Sequence, residues 1–363
     1  VEYENISLPI KTILDDPIFD SLVKKDIRNA KAADDPLPER SQIKRIEKYL
    51  DNHHSENEIT PKEIYDALYS KQSQNQIVET DTEDQAFKRV EYNAIINGVT
   101  DAQNLLIKRT DINHYEPSVS KYFSRISLIH KLRETRAFIG FSRLGARLDQ
   151  EDMWKLMSDR EYEKKKWYPA IEVKGEGLFF QFSDEKLNEW MGSYDKELSG
   201  RIKNMRDSFV NRYGTFAEPP SAKYILMHTF AHILINQLIY DCGYGSASLR
   251  ERIYCTDADN GMSGLLIYTS AGDSEGTMGG LVRMGMPGIL ENTIKKALED
   301  AQWCSSDPIC IESEGQGSGS VNKAACHNCA LIAETSCENF NCSLDRGLLI
   351  GTLDNNKLGY FSN

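Results

Sequence analysis

Six of the eight cysteines in this 363-residue chain, Cys304, Cys310, Cys326, Cys329, Cys337 and Cys342, fall within its last 60 residues. Such crowding leaves two folds open: a disulfide-stapled segment or a metal site. No cationic-then-apolar leader stands at the N-terminus, so an oxidising compartment has no support and the cytoplasm is the expected location. The chain starts at Val1 rather than Met, which hints at a fragment or processed form of something longer. Within the cluster, Cys326-His327-Asn328-Cys329 has the C-x2-C spacing by which one tight turn presents two thiolates to one metal. A redox pair would prefer the start of a helix in a thioredoxin-like βαβ unit, and no such unit is recognisable around it. The expected ligand set is Cys310, Cys326, Cys329 and Cys337 around one tetrahedral zinc, with the Gly/Ser-rich stretch from Gly315 to Ser320 letting Cys310 fold back. Cys304 is the first reserve, with Cys342 and His327 behind it. Four thiolates leave no open coordination position, so this zinc would be structural.

Towards the N-terminus the pattern changes. Residues 1–115 read as a charged helical region: apolar residues recur at helical spacing from Ile13 to Ile27, Thr60-Pro61 starts a second helix, and a third spans about Asp84 to Asn97. Residues 116–218 read as a basic α+β region with a hairpin, whose strands are Ala170–Val173 and Leu178–Phe182 and whose turn is Gly175-Glu176-Gly177. A short helix ending near Trp190 follows. Residues 219–363 read as an α/β domain: a helix from Ala222 to Tyr240, strands near Arg252–Tyr254 and Leu265–Thr269, and an amphipathic helix from Pro287 to Trp303. The expected fold class is therefore mixed α+β, a helical N-terminal region followed by a mixed domain that ends in a four-cysteine zinc site. The longest uncharged apolar run, between Lys223 and Asp241, is 17 residues long and contains two histidines, too short and too polar to cross a membrane.

Net charge enters where nucleic acid is considered. With 43 Lys plus Arg against 55 Asp plus Glu the chain carries −12, so a uniform polyanion-binding surface is excluded. The segment from Lys121 to Arg147 departs from that average: Lys121, Arg125, Lys131, Arg133, Arg136, Arg143 and Arg147 stand against Glu134 alone. Tyr122, Phe123, Phe138 and Phe141 are interleaved with them. Arginine forks suit phosphate and aromatic rings can stack on bases, so these seven are the candidate DNA contacts. Lys164 to Lys166, then Arg201, Lys203, Arg206 and Arg212, extend the basic character. Solvated or ion-paired surface is the plainer reading of all of them.

Two further constellations carry weaker signals. His228 and His232 lie four apart on one helix face, the spacing of the H-E-x-x-H metalloproteases, but Thr229 stands where that motif has its Glu base. Asp273 or Glu275 could supply a carboxylate. The Gly-rich run Gly272 to Gly280 could offer backbone N–H groups to phosphate, but it lacks the Lys and Ser/Thr of a P-loop, and a structural turn is the favoured reading.

Taken in order, His228-Thr229-Phe230-Ala231-His232, Gly264 to Tyr268, Gly276 to Leu281, Ala325-Cys326-His327-Asn328-Cys329, Cys337-Glu338-Asn339 and Leu344-Asp345-Arg346 resemble the MrfA-type zinc-binding domain, a helicase-associated module. With Arg136 to Phe141, Trp167 to Ala170 and Gly175 to Gly177, the likeness extends over roughly residues 120–363 to the DrmB proteins of DISARM anti-phage defence. The resemblance implies a zinc held by four cysteines, Cys326, Cys329 and Cys337 directly and Cys310 less directly. It also implies a non-enzymatic subunit that partners a DrmA-like helicase and meets DNA through that complex, with no membrane involved. A hydrolase or nuclease built on His228 and His232 is the competing expectation.

Overall fold

The computed structural model describes residues 23, 39–53, 60–65, 83–101, 103–137, 169–213, 219–257, 261–269 and 279–362. Arg143, Arg147, Lys164 to Lys166, Asp273 and Glu275 lie outside them, as does nearly all of the helix expected at Ile13 to Ile27. Two compact units divide the chain, Val1–Val90 and Glu91–Asn363. In the first, helix α1 (Glu39–His53) buries Ile46, Tyr49 and Leu50. A helical turn at 61–65 starts as expected at Thr60-Pro61. Glu63 N–H donates to Thr60 Oγ1 at 3.3 Å and Thr60 N–H donates to Glu63 Oε2 at 2.8 Å, a reciprocal cap.

The second unit is built on one antiparallel sheet with strand order β1-β2-β3-β5-β4. Its strands are β1 (Leu105–Thr110), β2 (Phe123–Ala137), β3 (Ala170–Phe182), β4 (Leu249–Cys255) and β5 (Ser263–Thr269). Because β3 pairs with β5, the sheet runs across the boundary expected at residue 218 and joins both halves in one unit. Alternation sorts the side chains. Leu178, Phe180, Phe182, Ile253, Leu265 and Ile267 form one core, while Phe179, Tyr254, Leu266 and Tyr268 form another on the opposite face. The C-terminal turns of α2 (Glu83–Asn97) cover that second face with Tyr92 and Ile95.

The first face is covered by α6 (Ala222–Cys242), which is apolar nearly all round because helices α5 (Asp195–Tyr213) and α8 (Leu290–Ala301) and the short α9 (Gly347–Ile350) pack on its other sides. Ser221 caps α6 by accepting from Tyr224 N–H, and Gly243, at φ 71°, ends it in the left-handed conformation that glycine adopts without strain. Between these elements lie α3 (Pro117–Ser120), α4 (Asp184–Ser193), which ends beside Trp190 as expected, and α7 (Gly280–Met284). No helix among the described residues is long and apolar enough to cross a membrane.

The hairpin expected at Ala170 to Phe182 is replaced by one continuous strand. Gly175 and Gly177 do not turn the chain. A Cβ on Gly175 would collide with Thr269 O and one on Gly177 would lie 3.0 Å from Ile267 O, so the two glycines let β5 approach closely. The hairpin partner of β3 is instead β2, the strand that carries most of the basic segment.

Candidate metal centres

Beyond α8 the chain has little regular structure, and its shape is set by side chains that bind backbone. Cys304 follows the end of α8, and Asp307 fixes the turn beyond it: Asp307 Oδ2 accepts from Cys304 N–H at 2.9 Å and Oδ1 from Ile311 N–H at 3.0 Å. Together these bonds set Cys304 and Cys310 facing the Cys326 turn. Cys304 Sγ lies 3.5 Å from Cys326 Sγ, and Cys329 Sγ lies 3.8 Å from both Cys310 Sγ and Cys326 Sγ. All four sulfurs fall within 4.8 Å of one another. Sulfurs at a Zn–S distance of about 2.3 Å sit at tetrahedron corners separated by about 3.8 Å, so the set fits zinc. Backbone N–H groups of Ser306, Asn328 and Cys326 point at Cys304, Cys326 and Cys329 Sγ at 3.4, 3.4 and 3.3 Å. Such donors favour thiolate over thiol, and with the neighbouring thiols they outweigh burial to lower the Cys326 pKa.

Arg346 locks the two halves of this site together. It is fully buried and donates to Ala324 O at 3.1 Å, to Ala301 O at 2.8 Å and to the Asp307 carboxylate. Its neighbour Asp345, also buried, receives the Arg201 guanidinium from α5 at 2.6 and 2.8 Å. Asp345 N–H meanwhile donates to Thr229 Oγ1 on α6 at 2.9 Å. Leu344-Asp345-Arg346 is thus a staple that ties the cysteine-bearing loops to α5, α6 and α8.

Of the expected ligands, Cys310, Cys326 and Cys329 come together, and the fourth position is taken by Cys304. Cys337 lies elsewhere, in a second cluster with His228, His232 and Glu251. His327 is exposed, and Cys342, though buried, is outside both groups. The second cluster forms because α6 turns His228 and His232 towards β4, where alternation sends Leu249, Glu251 and Ile253 inward. Glu251 Oε1 lies 3.0 Å from His228 Nε2 and 3.5 Å from His232 Nε2, and Cys337 Sγ lies 3.1 Å from His228 Nε2. Both histidines and Glu251 are fully buried. Burial would lower the pKa of His228, but the Glu251 carboxylate and the Cys337 thiolate outweigh it and hold that pKa well above the ordinary value. Glu251 itself stays ionised: burial opposes its charge, and the two imidazoles more than compensate.

The candidate DNA contacts divide by position. Arg125 donates to Ile96 O and is half-buried, Arg136 pairs with Glu134 at 2.7 Å, and exposed Arg133 lies 3.7 Å from exposed Glu172. Lys121 lies 4.7 Å from the Tyr122 ring and Lys131 is half-exposed on β2. At the end of the Gly-rich run, the N–H groups of Gly279, Leu281 and Val282 converge on Glu176 at 2.7, 2.9 and 3.4 Å. A carboxylate of the chain itself takes the donors that a phosphate would need.

Cys304, Asp307, Glu251 and Arg346 carry more of these sites than the residue pattern suggested. Glu251 had a signal, an acid between the inward-facing Leu249 and Ile253 of an alternating strand. Asp307 had none.

Residues 230–330 match the MrfA Zn-binding domain. The match includes His232, Glu251 and all four clustered cysteines, and ends before Cys337 and the Leu344-Asp345-Arg346 staple. The chain is also 34% identical over 288 residues to the DISARM protein DrmB of Bacillus paralicheniformis, an alignment that covers 75% of this chain and 50% of the relative. The chain spans about half the length of the curated relative it matches. The family match gives a zinc-binding domain, and the four clustered sulfurs of Cys304, Cys310, Cys326 and Cys329 are consistent with one structural zinc.

Proposed function

We propose that this chain, which carries an MrfA-type zinc-binding domain and is similar to DISARM protein DrmB, is a non-catalytic subunit of a DISARM anti-phage defence complex. In this reading it partners a DrmA-like helicase in the cytoplasm and contributes to the grip on DNA. The observation that carries the proposal is the 34% identity over three quarters of the chain. The closed four-cysteine set supports a structural rather than a hydrolytic metal. The two histidines of the competing hydrolase reading are buried to 0% exposure, which leaves neither water nor a phosphodiester a path to them.

For DNA, Arg125 is engaged inside the unit with Ile96 O. The proposed phosphate contacts are Lys121, Lys131, Arg133 and Arg136 on and beside β2, with Arg143 and Arg147 beyond the described residues. An exposed pair such as Arg133–Glu172 contributes only about 0–1 kcal/mol and opens readily towards phosphate. The test is co-expression of the tagged chain with a DrmA-like helicase. The two proteins are expected to co-purify, and the complex should bind DNA with an affinity that falls steeply with salt. Replacing Arg133, Arg136 and Arg143 together with Ala should reduce the log–log salt slope by roughly one for each phosphate left without its cation. Separate elution would sink the partnership, and unchanged DNA binding by the triple variant would remove the patch.

A further inference from the structure

We propose that His228 Nε2, His232 Nε2, a Glu251 carboxylate oxygen and Cys337 Sγ hold a second divalent transition metal of the zinc type, separate from the four-cysteine site. The four donor atoms lie within 4.8 Å of one another, and all four residues are buried. Ligands about 2.0–2.3 Å from a tetrahedral zinc stand about 3.3–3.6 Å apart, close to the 3.0, 3.1 and 3.5 Å found here.

The surroundings prepare each donor for a metal. His232 Nδ1 lies 2.8 Å from Ala330 O and His228 Nδ1 3.3 Å from Ser343 O, so in the neutral rings the proton sits on Nδ1 and both Nε2 lone pairs face the cluster. Cys337 Sγ accepts from Asn339 N–H at 3.3 Å and from Asn341 N–H at 3.2 Å, the kind of support that a bound thiolate receives. Glu338 N–H holds Glu251 Oε1 at 3.2 Å. What remains is unsatisfied: His232 Nε2 and Glu251 Oε2 are buried without a hydrogen-bond partner. Buried polar atoms are rarely left so, and a cation held by His232 Nε2 and the Glu251 carboxylate supplies the missing partner.

Charge leads the same way. With neutral histidines the cluster holds one carboxylate and one thiolate in a pocket that excludes water, and a divalent cation neutralises them. The alternative is a metal-free network with both imidazoles protonated. That arrangement needs a good hydrogen bond from each Nε2–H, and His232 Nε2 has only the long 3.5 Å approach to Glu251 Oε1. Two imidazoles, a carboxylate and one thiolate select a borderline first-row ion over calcium or magnesium, which take oxygen ligands. Four protein ligands in a closed pocket make the ion structural. It would tie α6 and β4 to the Cys337 loop, beyond the segment that matches the MrfA domain.

The test uses the full chain. Elemental analysis after incubation with excess zinc and desalting should give about two zinc per chain, and X-ray absorption at the zinc edge should show about 2.5 sulfurs per zinc together with imidazole scattering. One zinc per chain, with four sulfurs and no imidazole, would overturn the proposal without need of any variant. Cys337→Ala and His228→Ala should each lose one zinc and keep the other, whereas Cys326→Ser should lose the opposite one. Two zinc retained by Cys337→Ala would equally overturn it.

Discussion

At the residue scale, the fate of a side chain here depends on which backbone group it can reach. Cys304 and Cys337 are both cysteines near the C-x2-C turn, and the residue pattern ranks Cys337 first with Cys304 in reserve. What separates them is Asp307, whose carboxylate bends the chain after α8 so that Cys304 meets Cys326, while the Cys337 loop is drawn to β4 by Glu338, which accepts from Ile253 N–H at 3.0 Å. The Glu338 bond forms only once the sheet exists, and the local Asp307 bonds leave no mark in the residue pattern, so the C-x2-C was legible in the sequence and its partners were not. Arg346 gives the sharpest test of this scale. Removing one member of a buried, hydrogen-bonded ion pair leaves its partner uncompensated, at a cost of about 3–5 kcal/mol. Arg346→Ala should therefore lower the denaturant midpoint by that equivalent and weaken zinc retention, because Asp307 loses its anchor. Arg133→Ala, on the exposed face of β2, should change stability by less than about 0.5 kcal/mol. Equal effects in urea titrations of the two variants would refute the staple.

At the element scale, regular periodicity was readable and close approach was not. Strands β4 and β5, the helix at Ala222 and the amphipathic helix before Cys304 follow directly from apolar spacing. Gly175-Glu176-Gly177 read as a turn because glycine usually marks one. Here the same residues lie inside β3, where Gly175 fits under Thr269 and Glu176 reaches the start of α7. Nothing in the local sequence distinguishes the two uses, since the deciding neighbour is 94 residues away in β5 for the pair Gly175 and Thr269. The same substitution should thus have opposite signs at two glycines. Gly175→Ala drives a Cβ against the Thr269 carbonyl and should cost about 1–3 kcal/mol. Gly200→Ala, in the interior of α5 with open space around it, should stabilise by about 0.5–1 kcal/mol. Thermal or chemical denaturation of both variants would decide, and a stable Gly175→Ala would show that β5 does not lie where the pairing puts it.

At the scale of the whole molecule, the cysteine-rich segment is bound into the sheet unit rather than appended to it. Arg201 on α5, Thr229 on α6, Ala301 at the end of α8 and Ile253 on β4 each bond to a residue between Glu338 and Arg346. A loop-rich stretch of this length buries too little apolar surface to hold that geometry unaided, so metal binding contributes directly to its folding. Zinc removal should then be felt well beyond the cysteines. If the ties are as strong as their burial suggests, a high-affinity chelator should lower amide protection in peptides from α6 and β4 together with those from 304–345. Far-UV circular dichroism and proteolysis should report one transition at the same denaturant concentration, as a cooperative unit requires. Loss of protection confined to 304–345, with α6 and β4 unchanged, would mean that the zinc segment unfolds alone. The sheet would then be an independent scaffold on which the metal domain merely rests.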